Sequence, residues 1–270
     1  MRVGRASKAS APGLTSLEAV AHEHHLGAQL LVSNYDNTNS DLSRAIADRL
    51  LENASYSGAL ASALARVVAS ERWDGLTVDL ESLGVSDTIG LVRFLGNLRH
   101  DLVPSKGLSV DVSAATSLSA YAQMGYDLTA MSLDARIVLM AYDDHGPTWS
   151  GPEPVDRLAW QRASLSVLLS RVPSSRVVSG VAGYGYTWPA GARLHAGVRV
   201  ADAQAFKMAI VAHVAARFDP VAGEYEATLL DGTVVWRSSD RSIRLRRALA
   251  IADRVPAIAV WELSSVDDLG

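Results

Sequence analysis

Hydrophobic and polar positions follow two patterns along the chain, and these patterns distinguish predicted helices from predicted strands. Leu60, Leu64 and Val67 recur at the spacing of one helix face. Short apolar runs of strand length, such as residues 76–80, lie between the helical stretches. The order is a plain alternation of strands and helices, which is typical of parallel βαβ units.

Six parallel strands are predicted, at residues 28–33, 76–80, 108–112, 137–142, 177–181 and 257–261. Helices are predicted at residues 17–24, 41–51, 56–69, 86–103, 155–171, 201–217 and 242–254. Two more strands, at residues 224–228 and 233–236, flank Asp231-Gly232, the dipeptide favoured in a two-residue hairpin. We interpret residues from about 189 to 238 as a small α/β insertion before the last strand of a single barrel domain that spans residues 1–270.

This order favours a (β/α)8 TIM barrel, and a doubly wound open sheet is the alternative that counting leaves open. Such a barrel usually takes about 250 residues. Only about 27 residues precede the first predicted strand. We therefore expect an α/β barrel that lacks one or two N-terminal strands, unless Met1 to Gly4 supplies part of one.

Composition then narrows the function classes. Hydrophobic residues make up 49% of the 270 residues and charged residues 20%, as in globular proteins. The 25 Lys and Arg against 29 Asp and Glu form no basic face, so nucleic acid is not an expected partner. The absence of cysteine excludes disulfides, Cys-ligated metals and thiol nucleophiles. No apolar run approaches the roughly 20 residues of a membrane span, and residues 1–10 hold no apolar segment of signal-peptide length.

The segment DGLTVDLE at residues 74–81 carries the most chemical information. Because side chains alternate along a strand, Thr77, Asp79 and Glu81 share one face, and the apolar residues between them share the other. Two neighbouring acids in a confined site raise one another's pKa, which suits a general acid. Glu81 is the candidate acid because barrel active sites lie at the carboxyl ends of the strands. A solvated loop is the alternative reading.

Two other strand ends carry candidate side chains. Tyr142 is expected to emerge at the rim beside Asp143. Trp261 shares a strand face with the small residues Ala257 and Ala259, which leaves room for an indole at the barrel mouth. Sugars stack on such surfaces, although a Trp at a strand end also fits a core position.

Other chemical signals are weak. The sequence HEHH at residues 22–25 lacks the spacing of a helical zinc site, and His145, His195 and His213 have no evident partners. No glycine-rich segment has the spacing of a phosphate-binding loop, and no Gly-x-Ser-x-Gly elbow occurs. We therefore expect neither a metal nor a cofactor.

Together these motifs resemble the family 18 glycoside hydrolases, the chitinase-like β/α barrels. The octapeptide at residues 74–81 is followed by M-x-YD at 140–143 and by a late strand that ends in Trp261. Further segments resemble the bacterial spore-germination and cortex-lytic branch, namely AYDDH at 141–145, GP at 151–152, GYGY-x-W at 183–188 and VW at 235–236. The resemblance runs from about Ala28 to Asp268.

The resemblance implies a retaining hydrolysis of β-1,4 bonds next to N-acetylglucosamine, with the acetamido oxygen of the substrate as nucleophile. It implies that Glu81 protonates the leaving oxygen, Asp79 holds the acetamido N–H and Tyr142 bonds the acetamido oxygen. The substrate-binding residues that it implies are Trp261 as the floor of the sugar ring, Asp143 near the cleaved sugar, and Asp74, Tyr184 and Trp188. Thr77 stands where many members have Asp, although the cortex-lytic branch often has a neutral polar residue there.

The expected partner is therefore a polysaccharide that contains N-acetylglucosamine, with peptidoglycan favoured over chitin. Such polymers lie outside the membrane, so the expected location is extracytoplasmic, at a cell wall or spore. A non-catalytic, chitinase-like carbohydrate-binding protein and a structural or regulatory barrel are the alternatives. Retention of both Asp79 and Glu81 favours the enzyme. The sequence predicts neither the oligomeric state nor endo versus exo action.

Overall fold

A computed structural model provides the structure, and it describes residues 17–192, 196–262 and 265. The strands in this part of the chain are β1 (Gln29–Ser33), β2 (Tyr35–Asp36), β3 (Asp41–Leu42), β4 (Gly75–Asp79), β5 (Gly107–Ser113), β6 (Arg136–Met140), β7 (Val177–Ala182), β8 (Tyr184–Trp188), β9 (Val198–Ala201), β10 (Arg217–Asp219), β11 (Glu224–Thr228), β12 (Val234–Arg237) and β13 (Ala257–Trp261).

The helices of the same residues are α1 (Leu17–Glu23), α2 (Arg44–Glu52), α3 (Ala54–Ser70), α4 (Thr88–Asp101), α5 (Leu118–Gln123), α6 (Leu128–Asp134), α7 (Leu158–Leu169), α8 (Asp202–Val211) and α9 (Asp240–Ala252). Polar side chains begin several of them. Ser43, Asn53 and Ser239 each accept a hydrogen bond from a backbone N–H in the first turn of the helix that follows. These caps satisfy donors that have no partner within the helix.

The main sheet is parallel, and its strands follow the order of the chain, β1-β4-β5-β6-β7-β13. Doubly wound sheets reverse their strand order at a switch point. Here each strand lies beside the next one, as in a β/α barrel, and the sheet curls into a half-barrel with helices on its outer face. The prediction of an α/β barrel fold is confirmed. The described residues contain six of the eight strands of a full barrel, with β1 and β13 at the edges. Met1 to Gly4 lie outside the described residues.

The hydrophobic core lies between the outer face of this sheet and the helices. On β4, Leu76 and Val78 are fully buried and pack into one cluster with Phe94 and Leu98 of α4 and Val68 of α3. The inner face of the sheet is more polar, because alternate residues of β4 and β5 are acids, serines or threonine. The core therefore closes one side of the sheet and leaves the other for chemistry.

The insertion before β13 is a five-stranded antiparallel sheet, in the order β10-β11-β12-β8-β9, with α8 beside it. It contains the predicted hairpin of β11 and β12, but the hairpin loop differs from the prediction. Three residues form it, since the Leu229 N–H donates to the Thr233 carbonyl at 2.8 Å. Gly232 takes the left-handed conformation, with φ of 82°, that ends such a three-residue loop.

Several element ends differ from the predictions because of tertiary contacts. Helix α7 begins three residues later than predicted, since the carboxylate of Glu224 accepts the backbone N–H groups of Val155 and Asp156. Helix α8 is shorter than predicted, because Arg217 begins β10. The short helices α5 and α6 were not predicted.

Candidate active site

The candidate site lies at the carboxyl ends of the parallel strands. Glu81 follows β4, Tyr142 and Asp143 follow β6, and Trp261 ends β13. Parallel strands bring these ends to the same rim of a barrel. Four strand ends therefore contribute to one mouth, and the fourth is that of β1, where Asn34 follows the strand.

On β4 the burial of side chains alternates as the sequence pattern predicts. Leu76 and Val78 are buried, whereas Thr77 and Asp79 are partly exposed on the opposite face. Glu81 is also partly buried and stands beyond the end of the strand. Its successor Ser82 has φ of 57°, a conformation that is uncommon outside glycine and recurs at functional sites.

The backbone of Glu81 is held by Asn34, a fully buried side chain that was not predicted. The Glu81 N–H donates to Asn34 Oδ1 at 3.0 Å, and Asn34 Nδ2 donates to the Glu81 carbonyl at 3.0 Å. Asn34 Nδ2 also donates to the Ser43 carbonyl at 3.2 Å. Because Asn34 bonds both backbone groups of Glu81, it fixes the backbone position from which the Glu81 side chain extends.

The surroundings of Glu81 favour its protonated form. Burial, followed by the negative charges of Asp79 and Asp143, raises the pKa of Glu81 to about 7. Burial also raises the pKa of Asp79, while a hydrogen bond from the Ser33 side chain opposes that rise. Ser33 lies directly beside Asp79 in the parallel pairing of β1 with β4. The two neighbouring acids therefore have different partners.

Asp143 is held by two tyrosines of the insertion. The hydroxyls of Tyr184 and Tyr186 donate to Asp143 Oδ1 at 2.5 and 2.7 Å. Burial raises the pKa of Asp143, and these two hydrogen bonds oppose the rise. The backbone of Asp143 has a left-handed φ of 65°. The guanidinium of Arg199 lies 4.0 Å from the centre of the Tyr184 ring.

Tyr142 stands between the acids and strand β7. Gly180 leaves the space for its ring, because a side chain at that position would meet the Leu139 carbonyl at 2.5 Å and Tyr142 Cε1 at 3.0 Å. The ring meets that of Tyr184 edge to face, with centres 6.5 Å apart. Burial, and then the charges of Asp111 and Asp143, raise the pKa of Tyr142 well above its ordinary range. Its hydroxyl therefore stays a proton donor.

Trp261 ends the last strand at the same rim. Its side chain is 44% exposed, as an aromatic surface for a ligand must be. The Trp261 carbonyl accepts the N–H of Gly183, and the peptide bond from Trp261 to Glu262 is cis. Glu262 pairs with Arg199 at 3.3 Å, which joins this rim to strand β9 of the insertion.

Three residues that were predicted to bind substrate do not line the mouth directly. Asp74 precedes β4 at its amino end, where it accepts hydrogen bonds from the Ala28 N–H and from His22, both at 2.8 Å. The structure does not bring Asp74 to the other site residues, because the length of β4 separates it from Glu81. Tyr184 is buried and reaches the site through Asp143. Trp188 is fully buried and packs edge to face against Tyr186.

Two site residues besides Asn34 were missed by the sequence reasoning. Tyr186 donates to Asp143, as described above. Asp111 lies on β5, where apolar residues alternate with glycine, serine and aspartate much as apolar and polar residues alternate on β4. Burial, and then the charges of Asp79 and Glu81, raise the pKa of Asp111 to about 7. The alternation along residues 107–113 is the sequence signal that points to it.

Two features of the described residues concern metal binding and membrane insertion. Within residues 17–192, 196–262 and 265, no group of three or more histidine or acidic side chains is arranged to hold a metal ion. None of the helices in those ranges combines the length and the apolar character that crossing a membrane requires.

The chain is similar in sequence to a glycosylase. No protein-family model matches the chain. The uncharacterized glycosylase YvbX of Bacillus subtilis is 21% identical over 244 residues, which cover 87% of this chain and 70% of that protein.

Solved structures agree with this similarity. The chitinase of Chromobacterium violaceum superposes with a TM-score of 0.84 and 25% identity, over 96% of this chain and 83% of that one. The spore cortex-lytic enzyme SleL of Bacillus megaterium superposes with a TM-score of 0.82 and 22% identity, over 94% of this chain and 60% of that one. In sequence and fold the chain is thus similar to the chitinase-like barrels of glycoside hydrolase family 18 and to the spore cortex-lytic enzymes.

Proposed function

We propose that this chain is a retaining glycoside hydrolase that cleaves β-1,4 bonds next to N-acetylglucosamine in peptidoglycan. The observation that carries the proposal is the environment of Glu81. Its partly buried carboxyl has a pKa raised to about 7 by burial and by two neighbouring acids. A carboxyl that still holds its proton near neutral pH is suited to protonate a glycosidic oxygen.

In the proposed reaction the substrate supplies the nucleophile. Glu81 gives its proton to the glycosidic oxygen as the bond from that oxygen to C1 breaks. The acetamido oxygen of the same sugar forms a bond to C1 and leaves a cyclic, positively charged intermediate. The Glu81 carboxylate then takes a proton from water, which attacks C1 and reopens the ring with retained configuration.

Asp79 and Tyr142 are assigned to the acetamido group. Asp79 accepts its N–H, and the negative charge of the carboxylate stabilises the positive charge of the cyclic intermediate. The Tyr142 hydroxyl donates to the acetamido oxygen, since the pKa of Tyr142 is raised well above its ordinary range. Both side chains come from the inner face or the rim of the same half-barrel.

The remaining residues shape the mouth. Trp261 presents a partly exposed indole on which the apolar face of a sugar ring can stack. Asp143 lies near the cleaved sugar and is oriented by the hydroxyls of Tyr184 and Tyr186. Trp188 supports Tyr186 from the buried side. We assign Tyr184 and Trp188 to the wall of the groove rather than to direct stacking.

The relatives support a glycosidase and favour wall polymers. One is a chitinase, one is a spore cortex-lytic enzyme, and one is a glycosylase. Chitin and peptidoglycan share β-1,4-linked N-acetylglucosamine, so the same acetamido chemistry applies to both. The cortex-lytic similarity favours peptidoglycan, and a wall substrate places the action outside the membrane.

The test compares wild type with Glu81→Gln on purified spore cortex, on vegetative peptidoglycan and on N-acetylglucosamine oligomers. We expect the wild type to release reducing ends and the variant to bind the same glycans with turnover reduced at least about 100-fold. The matched control Glu52→Gln alters an exposed glutamate at the end of α2 and leaves turnover unchanged. Proton NMR of the first product should show the β anomer.

Each other outcome has a defined meaning. Binding by both proteins without cleavage by either favours the non-catalytic carbohydrate-binding protein. Absence of binding by both contradicts any role in glycan recognition. If the α anomer is released first, the retaining mechanism is contradicted, but the protein is still a glycosidase.

A further inference from the structure

Asp111 presents a carboxyl to the candidate site from the strand next to Asp79. On β5, Leu108, Val110 and Val112 are buried in the core behind the sheet, so Asp111 lies on the inner face. Val78 pairs with Val110 in the parallel register of β4 with β5. The next residue on each strand is an aspartate, and adjacent strands lie about 4.8 Å apart.

The carboxyl of Asp79 has a buried oxygen on this inner face that lacks a hydrogen-bond donor. Its Oδ1 atom is buried and has no hydrogen-bond partner among the residues that the structure describes. The Thr77 hydroxyl, two residues earlier on the same face, donates its proton to Gln29 Oε1 at 2.7 Å. Thr77 therefore does not supply the missing donor.

Two ionised carboxylates at this spacing repel each other, whereas one shared proton converts the pair into a donor and an acceptor. We propose that Asp111 is a positioning residue whose protonated carboxyl donates a hydrogen bond to Asp79 Oδ1. This bond keeps Asp79 ionised and turned toward the sugar. The role of Asp111 in turnover rests on the proposed function, whereas the proton shared by Asp111 and Asp79 does not depend on it.

The groups around Asp111 favour this proton. Burial is the main cause of its raised pKa, and the charges of Asp79 and Glu81 add to it. The titratable and charged groups that face this part of the mouth are Asp79 and Glu81 from β4, Tyr142 and Asp143 after β6, Tyr126 after α5, and Arg199 from β9 beside Asp143. Loss of the Asp111 proton would add another negative charge to a mouth that already holds several acids.

The first experiment follows the proton directly and requires no catalytic activity. Protein labelled with 13C at the aspartate carboxyls is titrated by NMR, and Asp111→Asn identifies the Asp111 signal. We expect Asp111 to titrate near pH 7 and to shift down by at least about one pH unit in Asp79→Asn, because a neighbouring charge is removed. The control Asp101→Asn, at the exposed end of α4, leaves the signal in place. An Asp111 signal that titrates near pH 4, or that ignores Asp79→Asn, overturns the proposal.

The second experiment measures kcat, KM and their pH profiles for Asp111→Asn and Asp111→Ala, after circular dichroism has shown that both fold. We expect Asp111→Ala to lose kcat at least about 100-fold with KM changed less than about threefold. Asp111→Asn should keep at least about ten times the kcat of the alanine variant, because its amide N–H still donates to Asp79. At alkaline pH, the kcat of wild type should fall with the loss of two protons, those of Glu81 and Asp111. The kcat of Asp111→Asn should fall with the loss of one proton, that of Glu81.

Equal kcat values for the two variants, or wild-type behaviour of Asp111→Ala, contradict the positioning role. If the wild type itself cleaves none of the glycans, the proposed function fails, and the NMR titration still decides whether Asp111 and Asp79 share a proton.

Discussion

At the scale of single residues, the site gathers four acids and gives each a different environment. Tyrosine hydroxyls bond Asp143, Ser33 bonds Asp79, and the charges of Asp79 and Asp143 act on Glu81. The fourth acid, Asp111, is buried beside the charges of Asp79 and Glu81. Environments that separate the pKa values of neighbouring carboxyls also separate their roles. The division between a proton donor and an orienting carboxylate thus follows from the neighbours of each acid.

The pH dependence of turnover is a first prediction at this scale. The acid acts only while protonated, and the pKa of Glu81 is about 7. We therefore expect the ionisation of Glu81 to contribute a fall of about tenfold in kcat/KM for each pH unit above that value. Asp143→Asn removes a negative charge that raises the Glu81 pKa, so the alkaline limb should move to lower pH. The control Asp101→Asn should leave the alkaline limb in place. If the limb also stays in place in Asp143→Asn, the fall in kcat/KM belongs to a group other than Glu81.

At the scale of elements, the loop after β1 controls the position of the acid that follows β4. Asn34 bonds both backbone groups of Glu81 and also the Ser43 carbonyl, at the start of α2. The Ser43 N–H in turn donates to the Asn34 carbonyl at 2.9 Å. Two strand ends and one helix start are therefore joined through a single buried amide.

A second prediction concerns this contact. Asn34→Ala leaves the Glu81 N–H and carbonyl without their partner, so we expect the free energy of unfolding to fall by about 1–3 kcal/mol. At a temperature where the variant is folded, kcat should fall at least about tenfold, because the acid is no longer held in place. Thermal melts and steady-state kinetics measure the two effects. The control Asn39→Ala, an exposed residue in the turn between β2 and β3 whose side chain donates to Asp36, should change neither.

At the scale of the whole molecule, a buried ionic cluster joins the half-barrel to the insertion. Arg246 of α9 bonds Asp156 before α7 at 2.5 Å and Glu224 of β11 at 3.0 Å. All three side chains are fully buried. Removal of one partner from such a cluster leaves an uncompensated buried charge.

A third prediction uses two arginines of the same helix. Arg246→Ala should lower the free energy of unfolding by about 3–5 kcal/mol, because Asp156 and Glu224 lose their cation. Arg244→Ala removes an exposed pair with Asp240 and should cost less than about 1 kcal/mol. Urea unfolding of both variants measures the difference. Similar losses for the two would show that the cluster does not hold the insertion to the barrel.

A fourth prediction links the site to global stability. The folded-state pKa of Glu81 is raised from 4.5 to about 7, so its protonated form is favoured by folding. Its contribution to stability is present below about pH 4.5 and is lost as the pH rises through about 7. Glu81→Gln cannot ionise, so at pH 8 its free energy of unfolding should exceed that of wild type by about 1–2 kcal/mol, after allowance for partial exposure. The gap should vanish at pH 4, and a gap independent of pH would contradict this account.

Local patterns predicted much of the secondary structure. Strand β13 has the predicted bounds, and β1, β4 and β5 differ from their predictions only at their ends. The predictions failed where non-local contacts decide: Glu224 delays the start of α7, and β8, β9 and β10 exist because they pair within the insertion sheet. Helices α5 and α6 are too short for the periodicity of apolar residues to reveal them.

Side-chain alternation is a local property of a strand, so the residue pattern of β4 was enough to predict the face that carries Asp79 and the position of Glu81 beyond the strand. The groups that surround these acids depend instead on how distant segments of the chain pack together. Asn34, Asp111 and Tyr186 reach the site through strand pairing and loop packing between segments far apart in the chain. Burial and neighbouring charge, which raise the pKa of Glu81, likewise arise only when those segments meet.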